Sequence, residues 1–178
     1  MIRKVPFLLL LVSALPGWAK QVVVVDGGRV QLQGELVNGA CAVAPDTQQM
    51  TVEMGQYRSN HFTGAGSYAT VTVPFSIALV DCSPDVSGQV GVMFQGSTPS
   101  EDPQVFIASR HATGNSGVGL ALFDSEQQLI IPNAPPARFT SIQTDVLVLH
   151  FSARYRAVTD RIIPGALRSD VWFTLVYP

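Results

Sequence analysis

Two alternating patterns at opposite ends of the chain constrain its fold most. Between Leu167 and Tyr177 every odd-numbered residue except Ser169 is apolar, and this period of two is typical of a strand with one buried face. Near the start of the chain, polar residues separate a matching set, Gly28, Val30, Leu32, Gly34 and Leu36. An unpaired apolar strand at a sheet edge can accept a strand from another chain. The sequence therefore predicts an accepting edge at one end and a donor strand at the other.

Residues 1–19 have the three parts of a secretory signal. Arg3 and Lys4 give a positive start, an apolar run follows, and residues 17–19 read Gly-Trp-Ala, a cleavage site with small residues on both sides. The apolar run is shorter than the ~20 residues that a transmembrane helix needs. We expect cleavage after Ala19 and export.

The charge of the remaining chain excludes several partners. Without Arg3 and Lys4, 9 basic residues stand against 13 acidic ones, and no stripe of Lys and Arg is present. Nucleic-acid binding and a polybasic membrane surface both require such a stripe. We expect neither a nucleic acid nor a small-molecule substrate.

Cys41 and Cys82 are the two cysteines of the chain. An even count in an exported protein favours a disulfide, whereas a zinc site requires further ligands at short spacing that the three histidines do not supply. We predict that Cys41 and Cys82 pair, stabilising the fold by about 4 kcal/mol in the chain-entropy description.

Strand patterns fill the rest of the sequence, and no segment has a convincing helical period. Clusters of Gly, Pro, Asn and Ser separate the predicted strands, as in a β-sandwich. Nothing indicates a boundary inside residues 37–178. The predicted strands cover residues 30–43, 51–54, 69–80, 90–94, 119–123, 129–131, 146–155 and 165–178.

No catalytic or metal-binding motif is found, so we expect no enzyme activity, no metal and no cofactor. His150 alternates out of phase with its apolar neighbours, and His61 and His111 lie in polar loop sequences. Asp124 and Glu126 provide too few oxygen ligands for calcium. Trp172 is predicted on the outward face of the last strand.

Five segments together resemble the pilins of the chaperone–usher pathway, in the type 1 fimbrial family. They are VVDGG with VQLQGELVNGAC (residues 24–28 and 30–41), VPFSIALVDC (73–82), NSGVGLALFD (115–124), FSARY (151–155), and a terminal strand with Gly165 and Tyr177 at its ends. Softer matches at residues 50–56, 90–94, 135–137 and 172–177 resemble a minor subunit of that family.

The resemblance implies an all-β, incomplete immunoglobulin-like β-sandwich that lacks its last strand. Residues 20–36 would be an N-terminal donor-strand extension and residues 37–178 the pilin domain. Gly165, Val171, Phe173, Leu175 and Tyr177 would form the groove that receives a strand from a chaperone or a neighbouring subunit. Gly28, Val30, Leu32, Gly34 and Leu36 would be donor positions, with Gly34 where another backbone comes closest.

The partners implied are a periplasmic pilus chaperone, an outer-membrane usher and neighbouring fimbrial subunits at the cell surface. A minor subunit would enter the fibre sparsely or at one end, regulating or terminating the rod. A self-contained secreted binding module with an immunoglobulin-like fold is the alternative, and it would fold without a donated strand.

Overall fold

A computed structural model describes residues 39–109 and 115–178. The chain divides into two units, Met1–Leu36 and Val37–Pro178, and all the described residues belong to the second. The predicted signal, the predicted extension with its five donor positions, and His111 lie outside the described residues.

Nine strands are the main regular elements of the described chain, together with a single helical turn, α1 (Pro45–Gln48), and one turn of 3₁₀-helix, Ser59–His61. In chain order the strands are β1 (Ala42–Val43), β2 (Val73–Val80), β3 (Gln89–Gln95), β4 (Phe106–Ser109), β5 (Asn115–Phe123), β6 (Leu129–Ile130), β7 (Thr140–Ser141), β8 (Leu147–Ala157) and β9 (Trp172–Val176).

The strands form two antiparallel sheets. The first has the order β1-β2-β8-β5-β4, with β6 also paired to β5, and the second has the order β7-β3-β9. The longest pairing joins β2 and β8, from Val73 opposite Ala153 to Leu79 opposite Leu147. Alternate side chains of each strand face the other sheet, so the two sheets enclose one core, as predicted for a sandwich.

Residues from both sheets form that core. Ile77 and Leu79 of β2 are buried with Leu149 of β8, and they meet Val92 and Phe94 of β3 in the same apolar cluster. These positions follow the period of two in their strands, because successive side chains point to opposite faces. The alternation predicted for β8, with Leu149, Ala153 and Tyr155 buried, is confirmed.

The predicted disulfide is confirmed. Cys41 lies immediately before β1, Cys82 follows β2 by two residues, and their sulfurs are bonded at 2.12 Å. Because β1 and β2 are paired, with Ala42 opposite Val80, the disulfide covalently links one end of two neighbouring strands.

The strands β4 and β7 were not predicted, residues 39–41 of the predicted first strand lie outside β1, and two further strand predictions were wrong in position. Residues 51–54 are not a strand, although their exposure alternates as the prediction required, because no strand in the described chain pairs with them. The last strand begins at Trp172 and not at Gly165, because the chain first pairs with the other sheet: Ser109 and Arg168 exchange two backbone hydrogen bonds, at 3.0 and 2.9 Å. The chain then crosses to the second sheet and becomes β9.

Candidate functional site

Strand β9 has one edge without a partner in the described part of the chain. Its other edge pairs with β3 over five residues, from Trp172 opposite Gln95 to Val176 opposite Gly91. A strand has hydrogen-bonding groups on both edges, so the free edge of β9 presents N–H and C=O groups to which a further strand could bind. We refer to it below as the open edge.

The side chains that β9 directs inward match the sequence prediction. Val171, Phe173, Leu175 and Tyr177 are each half-buried and pack against the main core cluster. The outward side chain of Trp172 is 66% exposed, which confirms its predicted face. The structure therefore brings four of the five predicted groove residues together along one strand.

Aromatic rings form the core beneath these residues. Phe94 is 3% exposed, and its ring centroid lies 5.1 Å from that of Phe151 and 6.4 Å from that of Phe173. Phe75 completes the group at 6.3 Å from Phe94 and 5.5 Å from Phe151. Phe75, Phe151 and Phe173 are only partly buried, so the apolar layer beneath β9 remains accessible on one side.

A second segment packs on the same core without pairing. Residues 50–57 take part in none of the backbone hydrogen bonds found among the described residues. Val52 and Met54 are half-buried while Thr51 and Glu53 are exposed, and Met54 packs against the main cluster. This alternation without a partner is what a strand shows when its neighbouring strand is missing.

The C-terminal end of β9 is tied to the first cysteine. The backbone N–H of Cys41 donates to Tyr177 Oη at 3.0 Å, and the Tyr177 hydroxyl donates to the carbonyl oxygen of Cys41 at 3.2 Å. The same hydroxyl thus acts as acceptor and donor, as a phenol can. We refer to this pair of bonds as the tyrosine clasp.

The remaining predicted positions lie apart from the open edge. Gly165 is exposed, precedes β9 by seven residues and does not contribute to the core cluster. His61 and His150 are both exposed, as predicted. Residues 39–109 and 115–178 contain no group of three or more His, Cys, Asp and Glu side chains that could hold a metal.

Sequence reasoning missed two parts of this site. The tyrosine clasp joins residues 136 positions apart, and nothing in the local pattern of either residue indicates it. The role of residues 51–54 was visible only as a strand pattern, and the absence of a partner could not be read from it.

The fold and the open edge define the class of protein: a β-sandwich whose second sheet, within the described residues, ends at β9. Solved structures support this fold. The rod subunit PapA of the P pilus aligns over 79% of this chain and 100% of its own length, with a TM-score of 0.67 at 17% identity. A chaperone–usher pilus subunit aligns over 89% and 99%, with a TM-score of 0.65 at 18% identity.

Sequence comparisons show the family. The family described as "Fimbrial protein" matches residues 30–178, and the fimbrin-like protein FimI of Salmonella typhi is 54% identical over 178 residues, 100% of each chain. The chain belongs to the Fimbrial protein family.

Membership confirms the predicted resemblance to the type 1 fimbrial family. The chain is a fimbrial subunit that adopts the pilin form of the immunoglobulin-like sandwich. Members of this family are structural, not enzymatic, and are exported to the cell surface as part of a fimbrium. None of the helices in the described ranges has the length and hydropathy of a membrane span.

Proposed function

We propose that the open edge of β9 receives a donor strand, and that a fimbrial subunit of this kind is complete only when the strand is in place. One observation carries the proposal: Val171, Phe173, Leu175 and Tyr177 lie half-buried on a strand that has a free edge. Apolar side chains at an unpaired edge are unfavourable in water, and a further strand would cover them while satisfying the backbone.

Residues 50–57 support the same proposal. Among the described residues they have no backbone partner, and they pack on the same core as β9, so they fit the opposite wall of a groove between two strands. A strand placed between β9 and this segment would give both of them a hydrogen-bonded neighbour. We propose that residues 51–54 become a regular strand when the groove is filled.

The extension of a neighbouring subunit is the proposed occupant in the fibre. Gly28, Val30, Leu32, Gly34 and Leu36 alternate with the same period as the inward residues of β9. Gly34 would lie where the groove floor leaves room only for a hydrogen atom. Because each subunit would donate at one end and accept at another, the contact does not close on itself, and repeating it builds a filament.

Before assembly, another protein must cover the open edge, because an exposed apolar edge aggregates. We propose that a periplasmic pilus chaperone lends a strand to β9 and that an outer-membrane usher exchanges it for the extension of the next subunit. Both partners follow from the resemblance to chaperone–usher pilins.

Within the fibre, we propose a minor subunit that enters sparsely or at one end and regulates or terminates the rod. The resemblance of residues 50–56, 90–94, 135–137 and 172–177 to a minor fimbrial subunit motivates this finer role. Immunogold labelling of intact fimbriae with an antibody specific for this chain is the test. We expect isolated or terminal gold particles, and labelling along the whole shaft at the density of the rod subunit would contradict the role.

A further inference from the structure

The tyrosine clasp connects the C-terminal end of β9 to Cys41, immediately before β1. Tyr177 follows the last residue of β9 by one position, and its hydroxyl binds both backbone groups of Cys41. Its ring packs beside Gly39, where a Cβ atom would lie 3.7 Å from the Tyr177 Cε2 atom. In the sequence, the predicted extension, residues 20–36, ends five positions before Cys41.

Cys41 is held firmly on its other side. Its disulfide to Cys82 joins it to the end of β2, and β1 continues directly from it into the first sheet. Movement of Cys41 relative to β2 is therefore restricted, while β9 on the second sheet lacks a neighbour at its open edge. The tyrosine clasp is a direct hydrogen-bonded link between these two elements.

Side chains already bond to the backbone groups that Cys41 and Val43 direct away from β2. Ala44 donates its N–H to the carbonyl of Ala78 on β2 at 2.9 Å, and alternate residues of a strand bind opposite neighbours, so Cys41 and Val43 face away from β2. Tyr177 binds Cys41, and Gln48 Nε2 donates to the Val43 carbonyl at 3.2 Å. A strand that added to β1 would have to displace the bonds from Tyr177 and Gln48.

We propose that Tyr177 is a positioning residue that couples the two halves of strand exchange. A strand bound to the open edge fixes β9 along its length and restrains Tyr177. Through its hydroxyl, Tyr177 then restrains Cys41, from which the subunit's own extension departs. A subunit with a filled groove thus holds the root of its extension more firmly than an empty one. This inference rests on the proposed function of the open edge.

The test measures amide hydrogen exchange by NMR in the oxidised chain of residues 20–178. The chain carries Gly34→Arg, so that its own extension cannot serve as a donor, and the added peptide spans residues 20–36 with Gly34 intact. We expect the peptide to slow exchange at the Cys41 amide by about tenfold more than at the Ala44 amide. Ala44 is the internal reference because its hydrogen bond to Ala78 does not involve Tyr177.

Tyr177→Phe removes only the hydroxyl of the clasp, and with it the extra protection of Cys41 should disappear at peptide concentrations that saturate the groove of each chain. Tyr68→Phe is the matched control, because it also removes a phenolic hydroxyl, and that hydroxyl accepts from Arg156 Nη1 at 3.2 Å in a cluster away from the open edge. It should behave as the parent chain does. Equal slowing at Cys41 with and without the Tyr177 hydroxyl, or no extra slowing in the parent, would overturn the coupling. A parent chain that binds no peptide would instead refute the proposed function, which is a distinguishable result.

Discussion

Single aromatic residues hold the two sheets together where β9 lies. Phe94 of the second sheet contacts Phe151 of the first at 5.1 Å in an edge-to-face geometry, with an interplanar angle of 84°. Ring pairs of this kind add ~0.5–1.5 kcal/mol to the burial of apolar area. The floor beneath the open edge is therefore formed before any donated strand arrives, and Phe173 completes it from β9 itself.

A second pair of rings, Tyr57 and Tyr155, gives a prediction about alkaline pH. The ring centroids are 5.2 Å apart at an interplanar angle of 85°, and Tyr155 is 7% exposed. Burial raises the pKa of the Tyr155 phenol, repulsion from Tyr57 raises it further, and burial also raises the pKa of Tyr57. An unfolded tyrosine titrates near pH 10, so above about that pH the folded state binds more protons than the unfolded state.

The free energy of unfolding should therefore be insensitive to these two groups below about pH 10 and fall as the pH rises above it. Tyr57→Phe should make this fall shallower, and it should not reduce stability at pH about 8 because the hydroxyl it removes is buried without a partner. Urea unfolding of both chains from about pH 8 to 11.5 measures the effect. Identical pH dependence in the two chains would contradict it.

At the scale of the element, β9 carries apolar side chains on both faces, and only one face belongs to the groove. Phe173 points inward onto the aromatic core, whereas Trp172 beside it points outward. Two neighbouring aromatic residues thus offer a matched pair of substitutions, one in the proposed site and one outside it.

Phe173→Ala should weaken binding of the donor peptide by about 30-fold, because half-burial of the ring leaves roughly half of the ~3–5 kcal/mol that full truncation costs. Trp172→Ala should change peptide affinity by less than about twofold, since it removes a ring that does not face the groove. Fluorescence anisotropy with a labelled peptide measures both dissociation constants. A larger loss of peptide affinity for Trp172→Ala than for Phe173→Ala would contradict the proposal that the inward face of β9 binds the peptide.

The strands also show how far the sequence alone could lead. β2 and β8 were predicted because each alternates with a buried face, and β3 and β5 because each contains a short apolar run; both are local properties of the chain. The four inward residues of β9 followed from the same pattern. The start of β9 could not be predicted from this pattern, because it depends on the bridge between Ser109 and Arg168, which lie far apart in the sequence. Residues 51–54 were misassigned for a related reason: a strand requires a partner, and alternation does not supply one.

Across the whole molecule, two sheets enclose one core, and the second sheet ends at β9 with no further strand in the described chain. The disulfide closes one end of the first sheet, and the tyrosine clasp joins the two sheets at that same end. We propose that a strand along β9 completes the immunoglobulin-like sandwich. The central claim is that this strand comes from another subunit.

Thermal unfolding with an added donor strand tests that claim most directly. The oxidised chain of residues 20–178 with Gly34→Arg is heated alone, with the peptide of residues 20–36, and with the same peptide carrying Gly34→Arg. A ligand that binds only the folded state stabilises it by about 2.7 kcal/mol at a hundredfold excess over its dissociation constant, and a strand that completes the sheet should exceed this value. We predict a large rise in Tm with the natural peptide and none with the Gly34→Arg peptide. A chain that unfolds at the same high temperature in all three samples would already have a complete sandwich, and that result would contradict the account.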